Sequence, residues 1–257
     1  MNRRFVPLLA AFFSFAAANL PAKSAAADII CFAPRALQTS LTELAPQFEK
    51  SSGRKITIIY GSAGELTGRL QKGDLADLAI VSDKQIDNLE KQGKIVAGSK
   101  AGLAKVGVAL MVRRGGVKPD VSSVDAFKKS MLDAKSITHT DPKYGGPAGM
   151  YMFGLFDKLG IGTEMKAKTK LVAPAAPLYN TVINGEAEIG FDQLTQIIAE
   201  PNVEFAGVLP ASIQNYTRFS AGIATVSKQQ DAAKALIAFL SSPAAETVMK
   251  AKGFEPF

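Results

Sequence analysis

Four short stretches of small residues are the places where this sequence could do chemistry. They are Ala33-Pro34-Arg35-Ala36-Leu37, Tyr60-Gly61-Ser62-Ala63-Gly64, Gly146-Pro147-Ala148-Gly149-Met150 and Ala173-Pro174-Ala175-Ala176-Pro177. Each falls where an apolar, β-branched run gives way to helical spacing. Small side chains let a ligand approach the backbone, and the unpaired N–H groups and positive dipole end of a helix N-terminus suit an anion. In open α/β sheets such ligands sit beyond the carboxyl ends of the strands. The chemistry these residues point to is binding, with no group transformed.

The rest of the inventory narrows the field. The chain has one His, one Cys and no Trp. It therefore cannot build a His- and Cys-rich zinc centre or an internal disulfide, and no metal or cofactor is expected. Cys31 reads as a half-buried residue of the first strand, and its place after Asp28-Ile29-Ile30 does not fit a lipid-anchored cysteine. A secreted hydrolase is one rival reading, with His139 at a strand end in Thr138-His139-Thr140-Asp141. Yet Gly61-Ser62-Ala63-Gly64 has the wrong spacing for a nucleophile elbow, and neither a P-loop nor a dinucleotide fingerprint is present. Sugar binding is disfavoured by the lack of Trp. Of the five tyrosines, Tyr144 and Tyr151 flank the third loop and are the candidates for ligand contact.

The charge needs a correction before it is read. Residues 1–27 resemble a secretory leader: Arg3 and Arg4, an apolar run from Phe5 to Leu20, then Ala25-Ala26-Ala27 before a cut near Ala27/Asp28. The chain carries 30 basic and 23 acidic residues, and the leader holds Arg3, Arg4 and Lys23, leaving 27 against 23, or +4. With no basic run interleaved with aromatics, no nucleic-acid partner is expected. No second apolar stretch reaches membrane-spanning length. The mature chain is expected in the periplasm, not spanning the membrane.

The elements that must hold these loops follow from periodicity. Strands are predicted at 28–33, 55–60, 77–81, 106–113, 136–140, 170–173, 188–192 and 219–226. Helices are predicted at 37–48, 65–72, 84–92, 125–132, 150–159, 177–184, 229–240 and 243–252. Gly53, Gly73 and Gly253 sit at helix ends. Lys166, Lys168 and Lys170 read as a solvated connector. The alternation gives an α/β fold with mixed, mostly parallel sheets. Two lobes are expected, 28–106 plus 217–257 and 107–216, joined by strand crossings near 106–111 and 218–222 that act as hinges.

The same segments carry a family resemblance across the mature chain. Phe32-Ala33 with the following helix, Gly61-Ser62-Ala63-Gly64, Ala76-Asp77, Ser82-Asp83, Asp141-Pro142, Pro147-Ala148-Gly149, Gly185, Gly190 and Pro243-Ala244-Ala245-Glu246 occur in the order of one family. The chain resembles the periplasmic molybdate-binding proteins of ABC importers, within the type II periplasmic solute-binding superfamily. The resemblance implies a monomer whose two lobes close on a small anion and deliver it to membrane permease subunits; a ligand sensor or adaptor of the same fold is the alternative. Carried over by position, the ligand residues are Ala36 and Leu37, Ser62 and Ala63, Ala148, Ala175 and Gln193.

This chain departs from the family at the site. The family's first-loop serine is Ala36, its tyrosine is Gln193, one residue is inserted around Tyr144-Gly145-Gly146, and Arg35 adds a guanidinium to the first loop. Hydrogen bonds to a charged partner are worth about 1.5–3 kcal/mol each, so losing two hydroxyls weakens a site for a tetrahedral oxyanion. A planar carboxylate suits a guanidinium fork. The departures point from a tetrahedral metal oxyanion toward another anion, such as a small organic carboxylate, so the expected ligand is an oxyanion such as molybdate or tungstate, or a small organic carboxylate.

Overall fold

The computed structural model describes residues 27–257, so the expected leader lies, but for Ala27, outside them. Six elements follow the βαβαβα reading, shifted by a residue or two except that the first helix runs four residues further: β1 (Ile29–Pro34), α1 (Gln38–Ser52), β2 (Ile56–Gly61), α2 (Ala63–Lys72), β3 (Leu78–Ser82) and α3 (Asp83–Lys91). Gly53 and Gly73 end α1 and α2 with φ of 69° and 88°, where a side chain would be strained. The chain continues through β4 (Ala101–Arg113), α4 (Val124–Asp133), β5 (Ile137–Thr140), α5 (Pro147–Lys158), α6 (Gly162–Lys168), β6 (Thr169–Val172) and α7 (Ala176–Ile183). It ends with β7 (Ile189–Gln193), α8 (Leu194–Ala199), β8 (Val203–Val208), β9 (Tyr216–Ile223), α9 (Gln230–Leu240) and α10 (Pro243–Ala251).

Three of these elements are absent from the sequence reading, and each depends on its neighbours. α6 replaces the expected lysine connector. Lys166 pairs with Asp157 at 2.9 Å, and the Lys168 ammonium donates to the Leu132 and Ala134 carbonyls at the end of α4. α8 is a single short turn after β7, and β8 exists by pairing with β4. Cys31 is fully buried, because β1 lies between β2 and β3.

The strand order is β2-β1-β3-β9-β4-β7-β5-β6, with β8 also on β4. Six strands form two parallel groups, β2-β1-β3 and β7-β5-β6, and antiparallel β9 and β4 lie between them. This is the mixed α/β class expected. Each half of the sheet is covered on both faces. In the first half, Leu41, Leu44 and Phe48 of α1 pack with Leu236 and Leu240 of α9 on one face, and Leu66, Ile86 and Leu89 fill the other. In the second, Phe127, Phe156 and Phe191 meet with ring centroids 6.1–6.5 Å apart, while Leu178, Val182 and Ile197 cover the opposite face. Each such side chain contributes about 1.5–3 kcal/mol on burial, so each half carries a core of its own.

The two halves exchange chain at β4. Its residues from Ala101 to Gly107 pair with β9, and from Val108 onward with β7 and β8. At this change of partner the Gln214 side chain accepts from the Val108 N–H at 2.8 Å and donates to the Val108 carbonyl at 3.0 Å, standing in for a strand. The crossing anticipated at 218–222 lies elsewhere. Phe219–Gly222 are held between β3 and β4 inside the first half, and the return passage runs upstream of β9.

Candidate functional site

The carboxyl ends of β1, β2, β5 and β7 bring the loops together around a cavity of about 60 Å³, room for a small anion. From the first half, Arg35 and Ala36 come from a 3-10 turn after β1, and Ser62 and Ala63 from the start of α2. From the second half come Tyr144, Ala148, Ala175 and Gln193. The loops touch across the gap: a Cβ on Gly145 would lie 3.6 Å from the Gly64 Cα.

Each loop is shaped by a local rule. Ser62 is the N-cap of α2, where its hydroxyl accepts from the Glu65 N–H at 3.3 Å and Glu65 Oε2 accepts from the Ser62 N–H at 3.4 Å. That reciprocal box satisfies two of the helix's open donors. α5 begins at Pro147, three residues before the sequence reading, because proline is tolerated at a first helical position. No side chain caps α5, so the Ala148 and Gly149 N–H groups remain open toward its start. The close packing there needs glycine: a Cβ on Gly149 would overlap the Thr140 carbonyl oxygen. Ala175 precedes α7 with φ 65° and ψ −130°, a strained setting for a side chain.

Leu37 and Tyr151 do not line the cavity. Leu37 is fully buried in the core beneath α1. The Tyr151 hydroxyl donates to the Ile213 carbonyl at 2.8 Å, which ties α5 to the segment before β9 and turns the ring away from the cavity. His139 is buried, with Nδ1 3.0 Å from the Thr140 carbonyl, and burial holds its pKa below the usual value. It lines a different, apolar recess with Phe153, Phe156 and Met165. Among the described residues no group of three or more His, Cys, Asp or Glu is placed to hold a metal ion.

Three polar lining residues escaped the sequence reading, Thr140, Asp192 and Gln196, and so did the apolar Phe219. Asp192 is the last residue but one of β7 and is only 8 % exposed. Its carboxylate accepts from the Tyr179 hydroxyl at 2.9 Å, the Gln193 N–H at 2.8 Å and the Gln196 amide at 3.1 Å. Burial outweighs these donors and pushes its pKa up to about 6. Burial and the Asp192 charge push Tyr179 up as well. Gln193, 4 % exposed, has an amide nitrogen with no hydrogen-bond partner among the described residues, while its oxygen sits 3.5 Å from the Gln196 amide.

The chain matches the bacterial extracellular solute-binding proteins over residues 29–255. It belongs to that family. The wider comparisons fit this solute-binding protein along nearly its whole described length. It is 30% identical over 223 residues to a Pseudomonas protein named aconitate isomerase, covering 84% of this chain and 83% of that one. It is 30% identical over 217 residues to the molybdate-binding protein ModA of Azotobacter vinelandii, covering 83% and 84%. The solved structure of the Azotobacter vinelandii periplasmic molybdate-binding protein superposes with a TM-score of 0.74 at 21% identity, covering 89% of this chain and 99% of that one. The resemblance to molybdate-binding proteins and the type II periplasmic binding fold are thereby established. Among the described residues of this family member, no helix is long and apolar enough to cross a membrane.

Proposed function

We propose that this protein is the extracytoplasmic component of an ABC importer, which captures a small organic carboxylate in the cavity and passes it to membrane permease subunits unchanged. The observation that carries the reading is Gln193, a buried cavity residue whose amide nitrogen lacks a partner. An unmade hydrogen bond of this kind costs about 1–3 kcal/mol, which a bound anion would recover. The open N–H groups at the start of α5 and the Arg35 guanidinium supply further donors. The two relatives at 30% identity frame the choice of ligand, one named for a tricarboxylate and one for molybdate. Ala36 and Gln193, in place of hydroxyl donors, favour the carboxylate. The proposed contacts are Arg35, Ala36, Ser62, Ala63, Tyr144, Ala148, Ala175 and Gln193.

The mechanism proposed is closure of two lobes, 28–106 plus 217–257 against 107–216, in a monomer. Ligand bridging both lobes favours the closed state by its contacts with each. The leader over residues 1–27 would direct the chain to the periplasm. A second reading, isomerisation of the bound anion, has the isomerase relative in its favour.

Calorimetric titration with cis- and trans-aconitate, citrate, molybdate, tungstate and sulfate tests the ligand class. Binding of a carboxylate, weakened about tenfold or more in Arg35→Ala, is the expected result. Tight molybdate binding, or unchanged affinity in Arg35→Ala, overturns the carboxylate reading. NMR of aconitate incubated with the protein should show no interconversion; turnover would establish the isomerase. Small-angle scattering with a verified ligand should show compaction.

A further inference from the structure

A cavity built to hold an anion has a carboxylate in its own wall. Asp192 lines the space shared by Ala148, Ala175 and Gln193, and it is 8 % exposed. Its three partners are the Tyr179 hydroxyl, the Gln193 N–H and the Gln196 amide, all neutral. No cation is among the groups that act on it. A second negative charge brought into the same cavity would lie beside it, and two neighbouring negative charges disfavour each other's ionisation.

We infer that Asp192 is protonated in the ligand-bound state, so that capture of an anion and uptake of one proton are a single event. This rests on the reading of the cavity as an anion site and adds a condition to it. The neutral acid requires one change among its partners, reversal of the hydrogen bond with Tyr179. With a proton on Oδ2, Asp192 donates to the Tyr179 oxygen, and the Tyr179 hydroxyl turns from donor to acceptor. Oδ1 keeps the Gln193 N–H and the Gln196 amide. The ligand-free carboxyl already titrates near 6, which makes the proton cheap to acquire.

Tyr179 on α7 is held neutral, with Glu200 adding negative charge near it. Across β4 the partner is Ala109. On β5, Thr140 lines the cavity, while His139 lines the apolar recess apart from it. Arg35, exposed on the first half, is a cationic lining residue of the same cavity.

The test uses trans-aconitate and sulfate from about pH 7 to pH 8.5, where both are fully ionised and keep a constant charge. For whichever binds, the dissociation constant should rise at least tenfold over that interval, approaching tenfold per pH unit above the Asp192 midpoint. Calorimetry at pH 8 in two buffers of different ionisation enthalpy should report close to one proton taken up per ligand. Asp192→Asn, whose amide donates to Tyr179 as the neutral acid does, should bind with little pH dependence and take up no proton. A pH-independent constant in the wild type with no proton uptake overturns the linkage and leaves the anion site standing. Pronounced uptake that persists in Asp192→Asn overturns the assignment to this residue. Failure of both probes to bind at either pH overturns the anion reading and this inference with it. If Asp192→Asn does not fold, proton uptake by the wild type together with the pH course of the Asp192 carboxyl 13C shift, free and bound, decides the question.

Discussion

The two walls of the cavity are built to opposite standards. On the first wall, Ser62 and Glu65 satisfy each other's backbone donors. On the second, α5 starts without a side-chain cap, Ala175 is held at a positive φ, the Gln193 amide nitrogen lacks a partner and Asp192 is a buried acid without a cation. A wall that is already satisfied gives stability to its own half. A wall with unmet groups has binding energy in reserve for something that completes it. On the anion-site reading proposed above, the unmet groups of the second half would carry much of the recognition, joined by Arg35 from the first.

The sharpest way to break that contrast is a pair of alanines. Gly149→Ala drives a Cβ into the Thr140 carbonyl oxygen and should cost about 2–3 kcal/mol of stability in urea denaturation. Gly64→Ala, whose Cβ would lie 3.4 Å from the Tyr144 carbonyl, should be neutral or stabilise α2 by up to about 1 kcal/mol. Equal losses would mean that the two walls are equally tight. Next in size, Gln193→Leu should weaken anion binding tenfold or more while leaving thermal stability unchanged or slightly raised, because it removes an unmet donor from the fold. A drop in stability without a change in affinity would make Gln193 a structural residue. The smallest effect belongs to the first wall. Ser62→Ala should lower stability by about 1 kcal/mol through loss of the cap, with a smaller change in affinity than Gln193→Leu.

Much of the site was legible because its parts are local. Proline and glycine at loop ends, Ser62 three residues before Glu65, and small residues after each strand announce helix starts wherever the chain then goes. Eight of the ten residues singled out from sequence line the cavity. Leu37 and Tyr151 do not line it, because a helical neighbour of a loop residue can face either core or cavity. The Tyr151 hydroxyl goes to Ile213, 62 positions away, which no local pattern announces.

The sequence by itself determined the rhythm of strands and helices, the places where helices stop, and the kind of loop at each strand end. These follow from backbone preference and apolar spacing within a few residues. Tertiary structure alone decided that β8 exists, that Cys31 is sealed between two strands, and that the chain changes halves at Val108 under the Gln214 side chain. It also decided the meaning of Asp192. In the sequence it is the last residue but one of a short strand. Only with β7 set between β4 and β5, and Tyr179 brought over it from α7, does that carboxyl lose water and line the cavity, because burial and partners set its charge and the chain order sets neither.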